Sequence, residues 1–323
     1  MIMMKKANPH RVIPVFIPQR ACPFRCSYCN QFAIAGQPKV PTVEEAKAII
    51  ESHLTTMPRD AEVRIAFFGG SFTGMRLSEQ EAFLQVAEPY VRSGLVNGIQ
   101  LSTRPDYITP EVLELLKAYR VVLIELGAQS LDDEILSRVG RGHTVAQVRE
   151  ASRMITEAGF SLGLQMMIGL PGDTKEKAMR TAETIVELGA SCTRIYPTLV
   201  VKDTLLAEQY RQGQYQPLDL ETAVEWCKDL YRYFVGHGVT ILRMGLHPSE
   251  GLLKGTDYLA GPFHVSFKEL VLTALWRDRI AEAVAAHDGP VVIKVPADEI
   301  NYAVGYGSAN KKAFPQVRFV VEG

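Results

Sequence analysis

The chain has 323 residues, 47% hydrophobic and 22% charged, which is enough apolar material for a large buried core and excludes a disordered or fibrous chain. Lys and Arg (35) nearly cancel Asp and Glu (36), so no global basic field draws nucleic acid or anionic membrane, although a local patch is compatible with the count. Five cysteines, three of them between positions 22 and 29, are too few and too unevenly placed for a secreted disulfide scaffold.

Met1 to Arg11 has no apolar h-region, which argues against a signal peptide, and no apolar run reaches the roughly 18 residues of a membrane span. The expected location is the cytoplasm. Candidate strands are Val12–Ile17, Val63–Phe68, Gly98–Ser102, Val121–Glu125, Ser161–Ile168, Thr193–Pro197 and Val239–Arg243. Several read as continuous apolar runs, as strands of a helix-covered parallel sheet do.

Helical patterns lie between them. Thr42 reads as an N-cap before Val43–Met57 with Glu45 completing a capping box, and Ser78 with Glu81 repeats the pattern before a helix ending near Arg92. Further helices are expected over Pro110–Ala118, Asp132–Val139, Val145–Ala158, Lys175–Leu188 and Leu220–His237, with Gly159 and Gly189 placed to terminate two of them. Six or so strand–helix units predict right-handed crossovers and an α/β fold, a partial (β/α)6 TIM-like barrel, with a doubly wound sheet as the rival. Residues 1–245 are read as the barrel. From Gly245 to Phe263, a stretch with two prolines and repeated glycines suggests a long loop. A helix at Ser266–Ala286, a strand at Val291–Val295, a glycine-rich stretch at 305–312 and a strand at Val317–Val321 then form a small C-terminal α+β extension, residues 246–323.

The chemistry concentrates in Cys22-Pro-Phe-Arg-Cys26-Ser-Tyr-Cys29, a C-x3-C-x2-C spacing just after the first strand. Thiolates are the soft ligands that iron–sulfur clusters require, and three of them leave one iron of a four-iron cluster open. Zinc with a distant fourth ligand is the alternative. Cys192 and Cys227 stand alone and read as buried small hydrophobes.

The cysteine motif resembles the signature of the radical S-adenosylmethionine (SAM) superfamily. Phe67-Phe68-Gly69-Gly70-Ser71-Phe72-Thr73-Gly74, Ser102-Thr103-Arg104-Pro105-Asp106, Glu125-Leu126-Gly127-Ala128-Gln129-Ser130, Gly140-Arg141-Gly142-His143-Thr144, Met167-Ile168-Gly169-Leu170-Pro171-Gly172 and Arg194-Ile195-Tyr196-Pro197-Thr198-Leu199-Val200 follow in order. Over residues 12 to 245 they resemble the Elongator catalytic-subunit family, without its acetyltransferase domain.

The resemblance implies a [4Fe–4S] cluster on Cys22, Cys26 and Cys29, and SAM as the second cofactor. It places Tyr28 near adenine, Gly69 and Gly70 at the methionine amino group with Ser71 where the superfamily often has Glu, and Thr103 in the same binding segment. Gln129 and Ser130 fall at the ribose, Arg141 at the SAM carboxylate, Gln165 at SAM, and Ile168 to Gly172 around the adenine. Arg104 and Glu125 would face substrate as catalytic groups or pair with each other. Tyr196 would be a radical relay, a stacking ring or a core aromatic. The implied reaction is cleavage of SAM to a 5′-deoxyadenosyl radical that acts on a substrate, with a tRNA or rRNA nucleotide as one candidate and Lys311, Lys312 and Arg318 as phosphate contacts or a solvated face. A porphyrin or cofactor intermediate is a second candidate substrate, and a non-catalytic iron–sulfur or zinc protein is a third reading. Reduced flavodoxin or ferredoxin is the implied electron donor, and no membrane partner is expected.

Overall fold

The computed structural model describes residues 11–18, 22, 26–36, 39–58, 61–287 and 289–322, so the N-terminal stretch read for a signal peptide and residues 23–25 between the first two cysteines lie outside it. Eleven strands are described: β1 (Arg11–Ile17), β2 (Val63–Gly69), β3 (Gly98–Thr103), β4 (Val121–Gln129), β5 (Ser161–Ile168), β6 (Cys192–Pro197), β7 (Val200–Val201), β8 (Thr240–Met244), β9 (Tyr258–Ala260), β10 (Val291–Val295) and β11 (Val317–Val321). The helices are α1 (Gln31–Ala35), α2 (Val43–Leu54), α3 (Leu77–Arg92), α4 (Pro110–Ala118), α5 (Asp133–Arg138), α6 (Val145–Glu157), α7 (Lys175–Glu187), α8 (Leu205–Arg211), α9 (Leu220–Gly236), α10 (Glu250–Leu253), α11 (Phe267–Ala285), α12 (Ile300–Val304) and α13 (Ala309–Ala313).

Seven parallel strands form one sheet in the order β1-β2-β3-β4-β5-β6-β8. The order never reverses. A doubly wound sheet reverses at a switch point and receives helices on both faces, whereas sequential right-handed crossovers put every helix on one face and curl the sheet into a partial barrel.

Strand alternation divides the residues between the faces. On the helix-covered face, Ile13, Val15 and Ile17 of β1, Ile99 and Leu101 of β3, Ile124, Leu126 and Ala128 of β4, and Leu162, Leu164, Met166 and Ile168 of β5 are buried in one large core. Burying each large aliphatic side chain there contributes about 1.5–3 kcal/mol. The intervening residues turn to the concave side: Val12, Pro14 and Phe16, then Gln100 and Ser102, Gly127 and Gln129, Gln165 and Met167, and Arg194 and Tyr196 line a cavity of about 790 Å³. The inner face is therefore polar where the outer face is aliphatic.

The helix starts follow the expected capping chemistry with one exception. Thr42 and Glu45 form the reciprocal capping box of α2. In α3, however, the helix begins at Leu77 and the carboxylate of Glu79 accepts the Arg76 N–H at 3.2 Å, so Ser78 sits inside the first turn. Glu81, expected as its partner, instead accepts the hydroxyl of Tyr119 at 2.9 Å. Gly159 and Gly189 terminate their helices with positive φ, at 88° and 74°.

The region from 245 to 263 is more ordered than a plain loop. It contains α10 and β9, and β9 pairs antiparallel with β7. The Ser249 hydroxyl donates to the Ala33 carbonyl at 3.2 Å, tying the segment after β8 to α1, just past the cysteines. Beyond it, α11 packs along α9, and β10 and β11 pair in parallel. The indole N–H of Trp276 on α11 donates to Glu299 at 2.9 Å. No helix among the described residues is long and apolar enough to cross a membrane.

Candidate active site

The three cysteines follow β1 and open onto the cavity. Cys26 is buried, Cys22 and Cys29 are half-buried, and all three are free thiols. The Cys29 N–H donates to the Cys26 carbonyl at 3.0 Å, closing a tight turn. Burial, followed by the negative charge of Cys26 and Cys22, pushes the Cys29 thiol up to about 12. Burial therefore keeps Cys29 protonated until a metal binds it, and bound metal reverses that preference.

Arg141 reaches this triad from the turn after α5. Its Nη1 donates to Cys26 Sγ at 3.6 Å and its Nη2 to the Gly127 carbonyl at 2.7 Å. Its Nε is buried with no hydrogen-bond partner among the described residues, an orphaned donor at a place where an anion would satisfy it. Gly127 leaves the room that this contact needs, since a Cβ there would stand 2.9 Å from both Arg141 Nη2 and Gln129 Nε2. Arg104, only 2% exposed, holds Arg141 in place by donating to its carbonyl at 2.8 Å.

Arg104 and Glu125, expected to face substrate or to pair with each other, are each bonded to other partners. Arg104 grips Asp106 bidentately, at 2.9 Å for both contacts. Glu125 is 1% exposed, lies behind the cavity wall rather than on it, and receives Arg194 Nε at 2.5 Å, Arg194 Nη2 at 3.0 Å and Gln165 Nε2 at 3.1 Å. Arg104 keeps a place on the cavity lining while it holds Arg141, whereas Glu125 stays off the lining and holds Arg194 and Gln165 in position.

The C-terminal strand ends surround the cysteines. Gly69 ends β2 with φ 110°, and the Gly70 N–H donates to the Ile17 carbonyl at 2.8 Å. A Cβ at Gly69 would meet the Ile17 backbone at 3.0 Å, so only glycine lets the two strand ends approach this closely. Ser71 is buried with its hydroxyl 3.6 Å from Cys22 Sγ. Thr103 shares a hydrogen bond of 2.7 Å with Thr73. Gln129 occupies the left-handed region at φ 67°, where the pairing of β4 and β5 shifts register. Non-glycine residues rarely accept that conformation, and it aims the side chain into the cavity.

Alternation also explains two departures. Ile168 shares parity with Met166 on the outer face, is fully buried in the core and does not line the cavity. Ser130 is buried with its N–H donating to Ala128 at 2.8 Å, and it too stays off the lining. Tyr28 lines the cavity and packs with Cys26 and Leu170, while burial and the neighbouring Cys26 raise its phenol well above the ordinary value. Tyr196 lines the cavity half-buried, beside Arg194. Arg194 also lies 4.8 Å from the centre of the Phe68 ring.

Sequence reading did not single out Arg194, Arg243 or His247, which also line the cavity. A charged residue inside an apolar strand, two places from another inward residue, was the available signal for both arginines. Arg243 Nε donates to the Gly245 carbonyl at 3.1 Å and its Nη2 lies 3.3 Å from both the Leu246 carbonyl and His247 Nδ1. Burial, together with the charge of Arg194, lowers the Arg243 guanidinium from its ordinary value.

The donor set fits an iron–sulfur cluster. Among the described residues no three His, Cys, Asp or Glu side chains gather tightly enough for a single metal ion. Three free thiols on one cavity wall are the soft donors that an iron–sulfur cluster takes, and the orphaned Arg141 donor suits an anionic ligand beside it.

Comparison with known proteins gives the same picture. The family described as "Radical SAM superfamily" matches residues 16–185, and the "Radical_SAM C-terminal domain" matches 190–277. The chain is 29% identical over 231 residues to a tRNA uridine(34) acetyltransferase of Dehalococcoides mccartyi, covering 61% of this chain and 50% of that one. It is 26% identical over 202 residues to the protein YhcC of Escherichia coli K12, covering 61% and 63%. It thus spans between half and two thirds of these relatives. Among solved structures it is similar to Methanocaldococcus infernus Elp3 lacking its N-terminus, with TM-score 0.65, 20% identity, and coverage of 84% of this chain and 63% of that one.

Proposed function

The chain belongs to the radical SAM superfamily and is a radical SAM enzyme, and from this premise we propose that the 790 Å³ cavity holds SAM beside a [4Fe–4S] cluster on Cys22, Cys26 and Cys29. When bound, these two groups supply one-electron reductive cleavage of SAM and a 5′-deoxyadenosyl radical. The observation that carries the reading is Arg141, whose fork touches Cys26 Sγ while its Nε is buried and unsatisfied.

Each residue's role follows from its position. The Arg141 guanidinium, fixed from behind by Arg104 and by the Gly127 carbonyl, offers its remaining donor to the SAM carboxylate. Gly69 and Gly70 let the backbone approach the methionine amino group, with Ser71 and Thr103 on the same side. Gln129, held in its left-handed bulge, and Gln165 take the sugar end, and Tyr28 packs near the adenine. Ser130 and Ile168, buried and off the lining, support the strand ends from behind the cavity. His143 donates its Nε2–H to the Ala128 carbonyl, 3.3 Å away, and braces the bulge. Tyr196 presents its ring to the substrate end of the cavity.

The substrate is a nucleotide of tRNA or rRNA. The name of the D. mccartyi relative supports this reading, as does a cavity large enough for one extruded base beside the cofactor. Reduced flavodoxin or ferredoxin delivers the electron. The test is anaerobic: the reconstituted chain is given dithionite and SAM, and 5′-deoxyadenosine is quantified by mass spectrometry with and without bulk tRNA and rRNA. Formation that Cys26→Ala abolishes and RNA stimulates, with binding that weakens steeply with salt, is the expected result. Stimulation by small-molecule extracts and not by RNA would move the substrate to the cofactor-intermediate class.

A further inference from the structure

Four arginines line the cavity, Arg104, Arg141, Arg194 and Arg243, and among the described residues no Asp or Glu lines it. Three of the four have a protein partner for their charge. Arg104 grips Asp106, Arg194 is clamped by Glu125 behind the wall, and Arg141 reaches Cys26 Sγ of the thiol triad. Arg243 differs: its partners are the Gly245 and Leu246 carbonyls and the His247 ring, all formally neutral.

The register makes the imbalance sharper. Arg194 of β6 pairs with Arg243 of β8, so two guanidinium-bearing residues stand on adjacent strands at one level of the inner face. Glu125 spends both its oxygens on Arg194. A half-buried cation beside another cation, with only neutral partners, is electrostatically incomplete. It also sits on the edge strand β8, at the far end of the sheet from β1, which leads into the cysteines.

We infer that Arg243, with His247 beside it, is an anion-binding subsite that receives a carboxylate or phosphate group of the substrate. The planar fork suits either group bidentately. The inference rests on the cavity being the site of the radical chemistry, and it adds to that reading the charge of the molecule acted upon. It also assigns β8 a role in substrate selection, because a neutral substrate would leave Arg243 uncompensated beside the paired Arg194.

The test uses the full chain, anaerobically reconstituted with cluster and SAM, in low-chloride buffer. Isothermal titration calorimetry measures binding of inorganic pyrophosphate and, separately, glutarate, and 5′-deoxyadenosine formation is followed in the same preparation. Saturable one-to-one binding of at least one probe is expected, weakened at least tenfold in Arg243→Met and weakened less in Arg243→Lys, which keeps the charge but not the fork. Tighter pyrophosphate binding identifies a phosphorylated group, and tighter glutarate binding a carboxylate. Binding of neither probe, or equal binding by Arg243→Met, overturns the subsite. Because the charge is held for a ligand rather than for the fold, Arg243→Met should melt within a few degrees of the parent, and a variant that does not fold also overturns it. Absence of deoxyadenosine with intact probe binding would sink the proposed function and leave the subsite standing; the reverse pattern would sink only the subsite.

Discussion

Removing the Glu125 carboxylate should be among the most destabilising single changes in the barrel. At 1% exposure it accepts four hydrogen bonds, two from Arg194, one from Gln165 at 3.1 Å and one from Gln100 at 3.5 Å. At an effective dielectric near 20, opposite charges about 4 Å apart attract by about 4 kcal/mol. Glu125→Ala forfeits that attraction and leaves Arg194 with a like charge, Arg243, as its register neighbour. Breaking a buried pair from one side costs about 3–5 kcal/mol. At about 2–4 °C per kcal/mol, the melting point should fall by about 6–20 °C. Urea unfolding followed by circular dichroism, with the m-value held constant, measures the loss. Adding Arg194→Met removes the orphaned cation, so the double variant should lose at least about 1.5 kcal/mol less than the sum of the singles. A loss below about 1 kcal/mol for Glu125→Ala, or strict additivity in the double variant, would refute the view that this pair fixes the cavity wall.

Gly127→Ala should weaken SAM binding at least tenfold in equilibrium dialysis, because its Cβ would displace both Arg141 Nη2 and Gln129 Nε2, each 2.9 Å away; unchanged affinity contradicts the Arg141 assignment. Gly163→Ala places a Cβ 2.9 Å from Glu125 Cγ and 3.0 Å from Cys192 Sγ, and should cost about 1–3 kcal/mol in urea unfolding. His143 is driven down to about 3 by burial and then by the charges of Arg141 and Arg104, so it stays neutral in the folded chain while the unfolded chain takes up a proton below about 6.5. Its contribution is therefore present above pH 6.5 and is lost as pH falls toward 3. Asp173, raised to about 6 mainly by burial, slopes the opposite way between about pH 4 and 6, so the comparison must be with His143→Gln. Between pH 6.5 and 5 the parent should lose about 1.5 kcal/mol more stability than the variant, and equal losses would contradict the assignment.

The barrel was legible because its signal is periodic. β1 to β6 and β8 fall where apolar runs end at glycines or caps, and the sequential βα order left little choice of topology. The division between core and cavity was legible too, in retrospect: Gln100, Gln165 and Arg194 interrupt otherwise aliphatic strands at inward parity, and Ile168 falls at the outward one. Which inward residue ends up covered was not. Glu125 has inward parity, but the side chains of Arg194 and Gln165 that bond it place it behind the wall. The elements least visible in sequence were α1, α10 and β9, of three to five residues each, whose order depends on contacts such as that of Ser249 with Ala33, 216 positions apart. The pairing of Arg104 with Asp106, two residues away, was hidden in plain sight. A local partner competes well with a distant one because ordering it costs less chain entropy.

The central claim is that Cys22, Cys26 and Cys29 leave one iron of a four-iron cluster open to SAM. Electron paramagnetic resonance of the dithionite-reduced, reconstituted chain tests it most directly. The account predicts a [4Fe–4S] signal that changes its g-values when SAM is added, and that Cys26→Ala fails to give. A signal indifferent to SAM, or a protein that takes up zinc and builds no cluster, would contradict it.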